Sequence, residues 1–192
     1  MSATPKTPLA AAQKTAGHIL EALNPFCHRI AVAGSIRRQR PQIGDIEIVC
    51  LPMRQTDLLG ITVPGLTSVE AFLLEKRVHI IKGGYDPKKK TVQKYIQFQY
   101  GRYSVDLFMP ESPAHWGSVF TIRTGSHDFN MWLMRTRAPQ VSVKFIGGLL
   151  YTWQRQLIPT AEEGDVFEAL QMEFVPPGAR DNDGWLGYVR EA

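Results

Sequence analysis

Three acidic side chains and one glycine–serine turn hold the chemistry that can be read from this chain. In the run HRIAVAGSIRRQRPQIGDIEIVC, residues 28–50, the alternation of Ile30 and Val32 predicts a β-strand that breaks at Gly34-Ser35. Glycine lets a backbone approach a ligand closely, and free N–H groups with the Ser35 hydroxyl suit a phosphate oxygen. Arg37 and Arg38 follow as cationic forks of the kind that grip phosphate, with Arg37 open to a structural role instead. A second predicted strand then bears Asp45 and Glu47, two residues apart and so on one side, with Ile46 and Ile48 on the other. Paired carboxylates repel, and a divalent cation such as Mg²⁺ would relieve that cost. A bare Asp-x-Glu is more often an exposed strand face. Asp106 changes the balance, because it lies inside the apolar run YSVDLFM between Val105 and Leu107.

The elements that must position these residues follow from periodicity. Residues 1–8 read as a disordered lead-in, and Leu9 to Leu23 has helical spacing at Leu9, Ala12, Ala16, Ile19, Leu20 and Leu23, stopped by Asn24-Pro25. Residues 53–67 read as a loop, and Ser68 caps a short helix through Glu75. Strands are predicted at Val78 to Ile81, Val92 to Tyr100 and Tyr103 to Met109, the last two joined by a tight turn at Gly101-Arg102. Beyond Pro110 the pattern becomes helical: Pro113 to Ile122, then Ser126 to Arg137 capped by Ser126 with Phe129, Trp132 and Leu133 inward. Residues 145–158 predict a hairpin around Gly147-Gly148, Thr160 caps a last helix over 162–172, and the tail reads as irregular. Trp116, Trp132 and Trp153 are read as core rather than as base-stacking platforms, and Cys27 and Cys50 as buried apolar positions.

Composition sets bounds on all this. The chain has 192 residues, 44% hydrophobic and 21% charged, with a net charge of +4, which permits a polyanionic partner without requiring one. Two cysteines without a C-x-x-C, and no histidine cluster, argue against zinc and against a disulfide scaffold. No signal-peptide pattern or membrane-length apolar run is present, so an intracellular, soluble, monomeric protein with no membrane partner is expected.

Three blocks in order resemble the family X DNA polymerases, the group of DNA polymerase beta. They are Gly34-Ser35-Ile36-Arg37-Arg38 with Gly44-Asp45-Ile46-Glu47, then Val105-Asp106-Leu107-Phe108, then Thr124-Gly125-Ser126 with Phe129-Asn130. A weaker match runs from Asp165 to Leu170 and on through Pro176-Pro177-Gly178-Ala179-Arg180. The resemblance implies an α+β fold: a nucleotidyltransferase palm of mixed β-sheet and flanking helices over 9–110, and a small, mostly helical C-terminal subdomain over 111–192. That is a minimal form, palm and nucleotide-selecting lobe only, similar in extent to the compact viral members.

The resemblance also implies a DNA-directed DNA polymerase that extends a primer 3′-OH in gap filling, repair or replication. Its partners would be primer–template or gapped DNA and nucleoside triphosphates. Asp45, Glu47 and Asp106 would be the catalytic and metal-binding acids for two Mg²⁺ ions, with Mn²⁺ able to substitute. Gly34, Ser35, Arg38 and Gly44 would bind the triphosphate. Ile122, Arg123, Gly125, Ser126, His127 and Asn130 would lie at the base and sugar, and Lys88, Lys89, Lys90, Arg135 and Arg137 are candidate DNA contacts. Five positions depart from the family pattern: Glu47 stands where aspartate is usual, Ile122 and Arg123 where paired aromatics police the sugar, and Ser104 and Met134 where arginines are common. The alternatives are a template-independent terminal transferase or an RNA or small-molecule nucleotidyltransferase, and, in another class, an inactive nucleic-acid-binding module.

Overall fold

A computed structural model of the chain describes residues 6–56, 58–86, 88 and 93–190. It divides into two compact units, Met1–Val32 with Arg40–Glu111, and Ala33–Gln39 with Ser112–Ala192. The segment Ala33–Gln39, which the sequence reading assigned to the first lobe, therefore clusters with the second unit.

In the first unit, helix α1 (Leu9–Leu23) buries Ala12, Ala16, Ile19 and Leu23, the i, i+4, i+7, i+11 stripe its spacing predicts. The strands are β1 (Cys27–Val32), β2 (Ile46–Pro52), β3 (Ile80–Gly83), β4 (Tyr95–Tyr100) and β5 (Tyr103–Phe108), and α2 (Ser68–Glu75) falls between β2 and β3. They form a sheet in the order β1-β2-β5-β4-β3. Strands β2 and β5 run parallel while the other neighbours are antiparallel, so the sheet is mixed. Alternation decides its faces: Ile46, Ile48, Val105, Leu107, Ile96 and Phe98 are all essentially inaccessible to solvent. Ile19 and Leu23 of α1, Phe72 and Leu73 of α2, and Phe98 of β4 line one apolar cavity, which puts both helices on this side.

Three expectations are corrected in this unit. Part of the segment read as a loop at 53–67 is an antiparallel ribbon, Arg54–Thr56 with Thr62–Thr67, in which β-branched Thr56, Val63 and Thr67 favour extended backbone. The cap of α2 is Thr67 and not Ser68: its hydroxyl accepts from the Glu70 N–H at 3.2 Å, and Glu70 accepts from the Thr67 N–H at 3.0 Å. Asp45 lies in the bend just before β2 rather than within the strand. Lys89, Lys90, Val92 and most of the lead-in lie outside the described residues.

The second unit contains α3 (Trp116–Thr124), α4 (His127–Trp132), the hairpin β6 (Val143–Ile146) and β7 (Leu149–Thr152), and α5 (Glu163–Ala169). After α4 the chain continues helically, through a wide turn at Leu133–Arg137, to Gln140. Its core joins Phe129, Leu133, Leu150, Val166, Phe167 and Trp185. At Gly117 a Cβ would lie 2.1 Å from the Glu162 carbonyl oxygen, so a glycine is needed where this backbone meets α3. Thr160 does not cap α5. Its carbonyl accepts from the Gly117 N–H at 2.7 Å and its hydroxyl meets Ser118, while Glu162 and Asp165 form the capping box. The tail is not wholly irregular: Pro177–Arg180 and Gly184–Tyr188 form short 3₁₀ turns, the second burying Trp185. Trp153, read as core, is 57% exposed.

Burial raises the Glu70 carboxyl above its ordinary value, against the hydrogen bonds from Thr67 that favour its charged form. Thr67→Ala removes the cap and one of those partners, and an expected loss of about 1–2 kcal/mol in urea unfolding checks the assignment. An unchanged midpoint would show that the capping box contributes nothing.

Candidate active site

The acids of the first unit are arranged by the same alternation that builds the sheet. Ile46 pairs with Val105 and Ile48 with Leu107, and burying those residues turns Glu47 and Asp106, themselves register partners, to the opposite face. On the other side of β5, Gln97 pairs with Asp106, and Tyr95, one strand step away, donates from its hydroxyl to Asp106 Oδ1 at 2.6 Å. The Tyr95 ring stacks on Phe108 with centroids 5.2 Å apart, which fixes the direction of that donor. Tyr95 was not singled out from the sequence. A tight turn at Gly101-Arg102 sets the β4–β5 register, however, and that register alone puts Tyr95 diagonal to Asp106.

Asp45 enters this group from the bend before β2. Burial, and then the negative charge of Asp106, raise its pKa above the ordinary aspartate value, with its own backbone N–H opposing. Gly44, just before it, has nothing within 4 Å of a would-be Cβ, so no packing demand accounts for glycine there. All-oxygen donors, two of them in mutual repulsion, have the chemistry that Mg²⁺ prefers. Among the described residues, no three His, Cys, Asp or Glu side chains are drawn together as a group that could hold a metal ion. Asp45, Glu47 and Asp106 are thus neighbours by backbone placement, and a cation would have to gather their side chains.

The second unit receives the glycine–serine turn. Gly34–Arg37 forms a single helical turn, with Gly34 at φ +59°. Arg37 grips Glu163 bidentately, at 2.9 and 2.7 Å, and donates to the Thr124 hydroxyl at 2.7 Å. Its guanidinium lies 3.9 Å from the Phe120 ring centroid. Arg180, with no exposed surface, donates at 2.8 Å to Glu163 Oε1, the oxygen that also accepts from Arg37 Nη1, and twice to the Val175 carbonyl. Burial alone would raise the Glu163 pKa, but the Arg37 hydrogen bond and the charges of both arginines outweigh it and hold the carboxyl below its ordinary value. Arg37 is therefore a structural cation. Arg38 is held by Asp181 at 3.3 Å and by the Thr124 carbonyl. It lies so close to Gly125, at φ +73°, that a Cβ there would come within 2.8 Å of Arg38 Nη1.

The remaining candidates follow this turn. Ser126 caps α4 by accepting from the Phe129 N–H at 3.3 Å, and donates to the Arg180 carbonyl. The Asn130 amide nitrogen donates to the Ile122 carbonyl at 2.7 Å, which leaves its buried oxygen Oδ1 without a hydrogen-bond partner among the described residues. His127 and Arg123 are exposed, Ile122 is half-buried, and Ser35 and Gly34 begin the helical turn. Among the DNA-contact candidates, Arg135 and Lys88 are exposed, while Lys89 and Lys90 lie outside the described residues. Arg137 is corrected: it is buried and donates to the Leu170 and Gln171 carbonyls at 2.8 Å each, satisfying the end of α5. Glu163 and Asp181 were missed, because no local pattern reveals partners at Arg37 and Arg38 more than a hundred residues away, and Arg180, quoted only in the weaker family match, was given no role.

Residues 120–181, about a third of the chain, match the family model of the DNA polymerase beta thumb. No curated protein matches the chain. The matched span takes in the Thr124–Asn130 turn, Glu163, Arg180 and Asp181, and none of the three acids. The second unit is accordingly similar to a polymerase thumb. Among the described residues, no helix is long and apolar enough to cross a membrane.

Two measurements test these electrostatics. A carboxyl whose folded pKa is raised loses stability as pH rises through that value, so the Asp45 charge costs stability at neutral pH. Without divalent cations, Asp106→Asn is expected to lower the Asp45 titration seen by carboxyl-carbon NMR and to raise the melting temperature at pH 7. Glu163 has the opposite sign: its contribution is full above 4.5, its ordinary value, and is lost as pH falls through the lower folded value. Glu163→Gln is expected to cost about 3 kcal/mol at pH 7, because it strands buried Arg180, and to flatten the acid limb of the stability profile.

Proposed function

We propose that the chain is a DNA-directed DNA polymerase of the family X type, extending a primer 3′-OH in short-gap or repair-like synthesis. The observation that carries this reading is the match of residues 120–181 to the DNA polymerase beta thumb. The register of Glu47 against Asp106, with Asp45 in electrostatic contact, supports it by supplying acids of the type such a reaction needs.

In the proposed reaction the primer O3′ bonds to the α-phosphorus of a nucleoside triphosphate, the α–β phosphoanhydride bond breaks, and pyrophosphate leaves. Asp45, Glu47 and Asp106 would hold two Mg²⁺ ions, or Mn²⁺ in their place. When bound, such ions supply acidity to the primer hydroxyl and neutralise charge on the triphosphate. Tyr95 holds Asp106 Oδ1 and leaves Oδ2 for the reacting centre. The Gly34 and Gly44 backbone, the Ser35 hydroxyl and Arg38 bind phosphate oxygens, Arg38 being pre-oriented by Asp181. Gly125 and Ser126 position the sugar and Asn130 the base, aided by His127, while Ile122 and Arg123 stand where the sugar is selected.

The deciding assay supplies Mg²⁺ or Mn²⁺, a one-nucleotide-gapped duplex and each nucleotide separately, beside an unpaired single strand. Incorporation of the complementary nucleotide alone is expected. Extension of the single strand by any nucleotide would favour terminal transfer, and no incorporation with either metal would exclude both. Asp106→Ala is expected to reduce transfer by at least about a hundredfold while the circular dichroism spectrum is kept. Ribonucleotides run in parallel are expected to be accepted, since no paired aromatics stand at Ile122-Arg123.

A further inference from the structure

The run from Phe129 to Ala161 contains no aspartate or glutamate, yet contains Arg135, Arg137, Lys144 and Arg155. Within it, the two-stranded hairpin of β6 and β7 is extended into a meander by a second tight turn and a single bridge beyond it. Thr152 N–H donates to the Gln156 carbonyl at 2.8 Å, Ile158 N–H donates to the Leu150 carbonyl at 2.9 Å, and Leu157 bridges Tyr151. One face, with Val143 and Leu150, is buried in the core. The opposite face sets Lys144 beside Tyr151 and Ile146 beside Leu149, with Leu157 outside Tyr151.

This outward face is unusual in what it exposes. Trp153, at the second turn, is 57% accessible, Ile146 43% and Leu157 38%. The Trp153 indole is not left to wander: Lys144 Nζ sits 5.0 Å from its ring centroid and donates to the Trp153 carbonyl at 2.8 Å. Arg155 is exposed two residues further on. A held, open aromatic ring with one cation against it and a second exposed two residues on, in a stretch without a single acid, complements a polyanion that also presents flat π-faces. Single-stranded nucleic acid has that combination, whereas in a duplex the faces are already stacked.

We propose that the outer face of this meander binds single-stranded nucleic acid, with bases stacking on Trp153 and Tyr151 and phosphates meeting Lys144 and Arg155. The site is separate from the acids of the first unit and goes beyond the polymerase reading. If that reading holds, the strand bound is the unpaired portion of the DNA.

The test uses the full chain without nucleotide or divalent metal, so the outcome of the transfer assay does not bear on it. A fluorescein-labelled oligo(dT) and an abasic strand of the same length are titrated by anisotropy. The wild type is expected to bind the base-bearing strand about tenfold more tightly than the abasic one. Trp153→Ala should remove that difference, Trp153→Phe should restore most of it, and Arg155→Ala should weaken both strands alike. Each variant is checked for an unchanged circular dichroism spectrum, as expected for exposed positions. Equal binding of the two strands by the wild type, or oligo(dT) affinity within twofold of wild type for Trp153→Ala, would overturn the proposal. So would the appearance of a protein partner that binds this face while oligo(dT) does not.

Discussion

Glu163, clamped between Arg37 and Arg180, is the contact on which the second unit depends. A single carboxylate pairs with two guanidiniums, one fully buried, and through them reaches Thr124, Val175, Phe120 and the aromatic cluster of the core. Taking three charges out of water is expensive, and the arrangement survives because nearly every donor finds an acceptor. The consequence is positional. The Ala33–Gln39 segment, remote in sequence from Ser112–Ala192, is locked to it, and Arg38 is delivered to Asp181 and Thr124 beside Gly125. The reading of both arginines as phosphate-gripping forks, with Arg37 open to a structural role, thus divides in two, one arginine holding the fold and its neighbour held beside the turn.

The first unit solves a different problem by a simpler rule. Its sheet is apolar on the side of α1 and α2, and a period of two then leaves no choice about where Glu47 and Asp106 point. Asp45 joins them from the bend, under repulsion from Asp106 and partial desolvation. Folding gains nothing from this repulsion. Such a group is maintained at a cost to stability that packing does not call for.

Much of the fold could be read directly. Helix α1, the tight turn at Gly101-Arg102, the Gly147-Gly148 hairpin and the α4 cap at Ser126 follow local rules of periodicity, capping and turn chemistry, and each stands where those rules put it. The errors also have a common physical origin. Thr67 and Glu162 displaced the expected caps because a cap is selected by reciprocal bonding to the third helical residue, which neighbouring Ser68 and Thr160 cannot make from their positions. Trp153 was taken for core because hydrophobicity by itself does not distinguish the inside of a hairpin from its outer turn.

The sequence by itself determined the alternation that opposes Glu47 to Ile46 and Ile48, and Asp106 to Val105 and Leu107, the acidic pair with its basic turn, and the glycine and serine that shape Gly125-Ser126. These depend on residues within a few positions of one another, where periodicity and backbone stereochemistry act directly. Only the tertiary structure decided that Arg37 belongs to Glu163, that Arg137 is buried at the end of α5, and that Tyr95 is spent on Asp106. An arginine or a tyrosine is written identically whether it meets water, phosphate or a carboxylate; its role is set by which partner the folded chain brings within hydrogen-bonding distance.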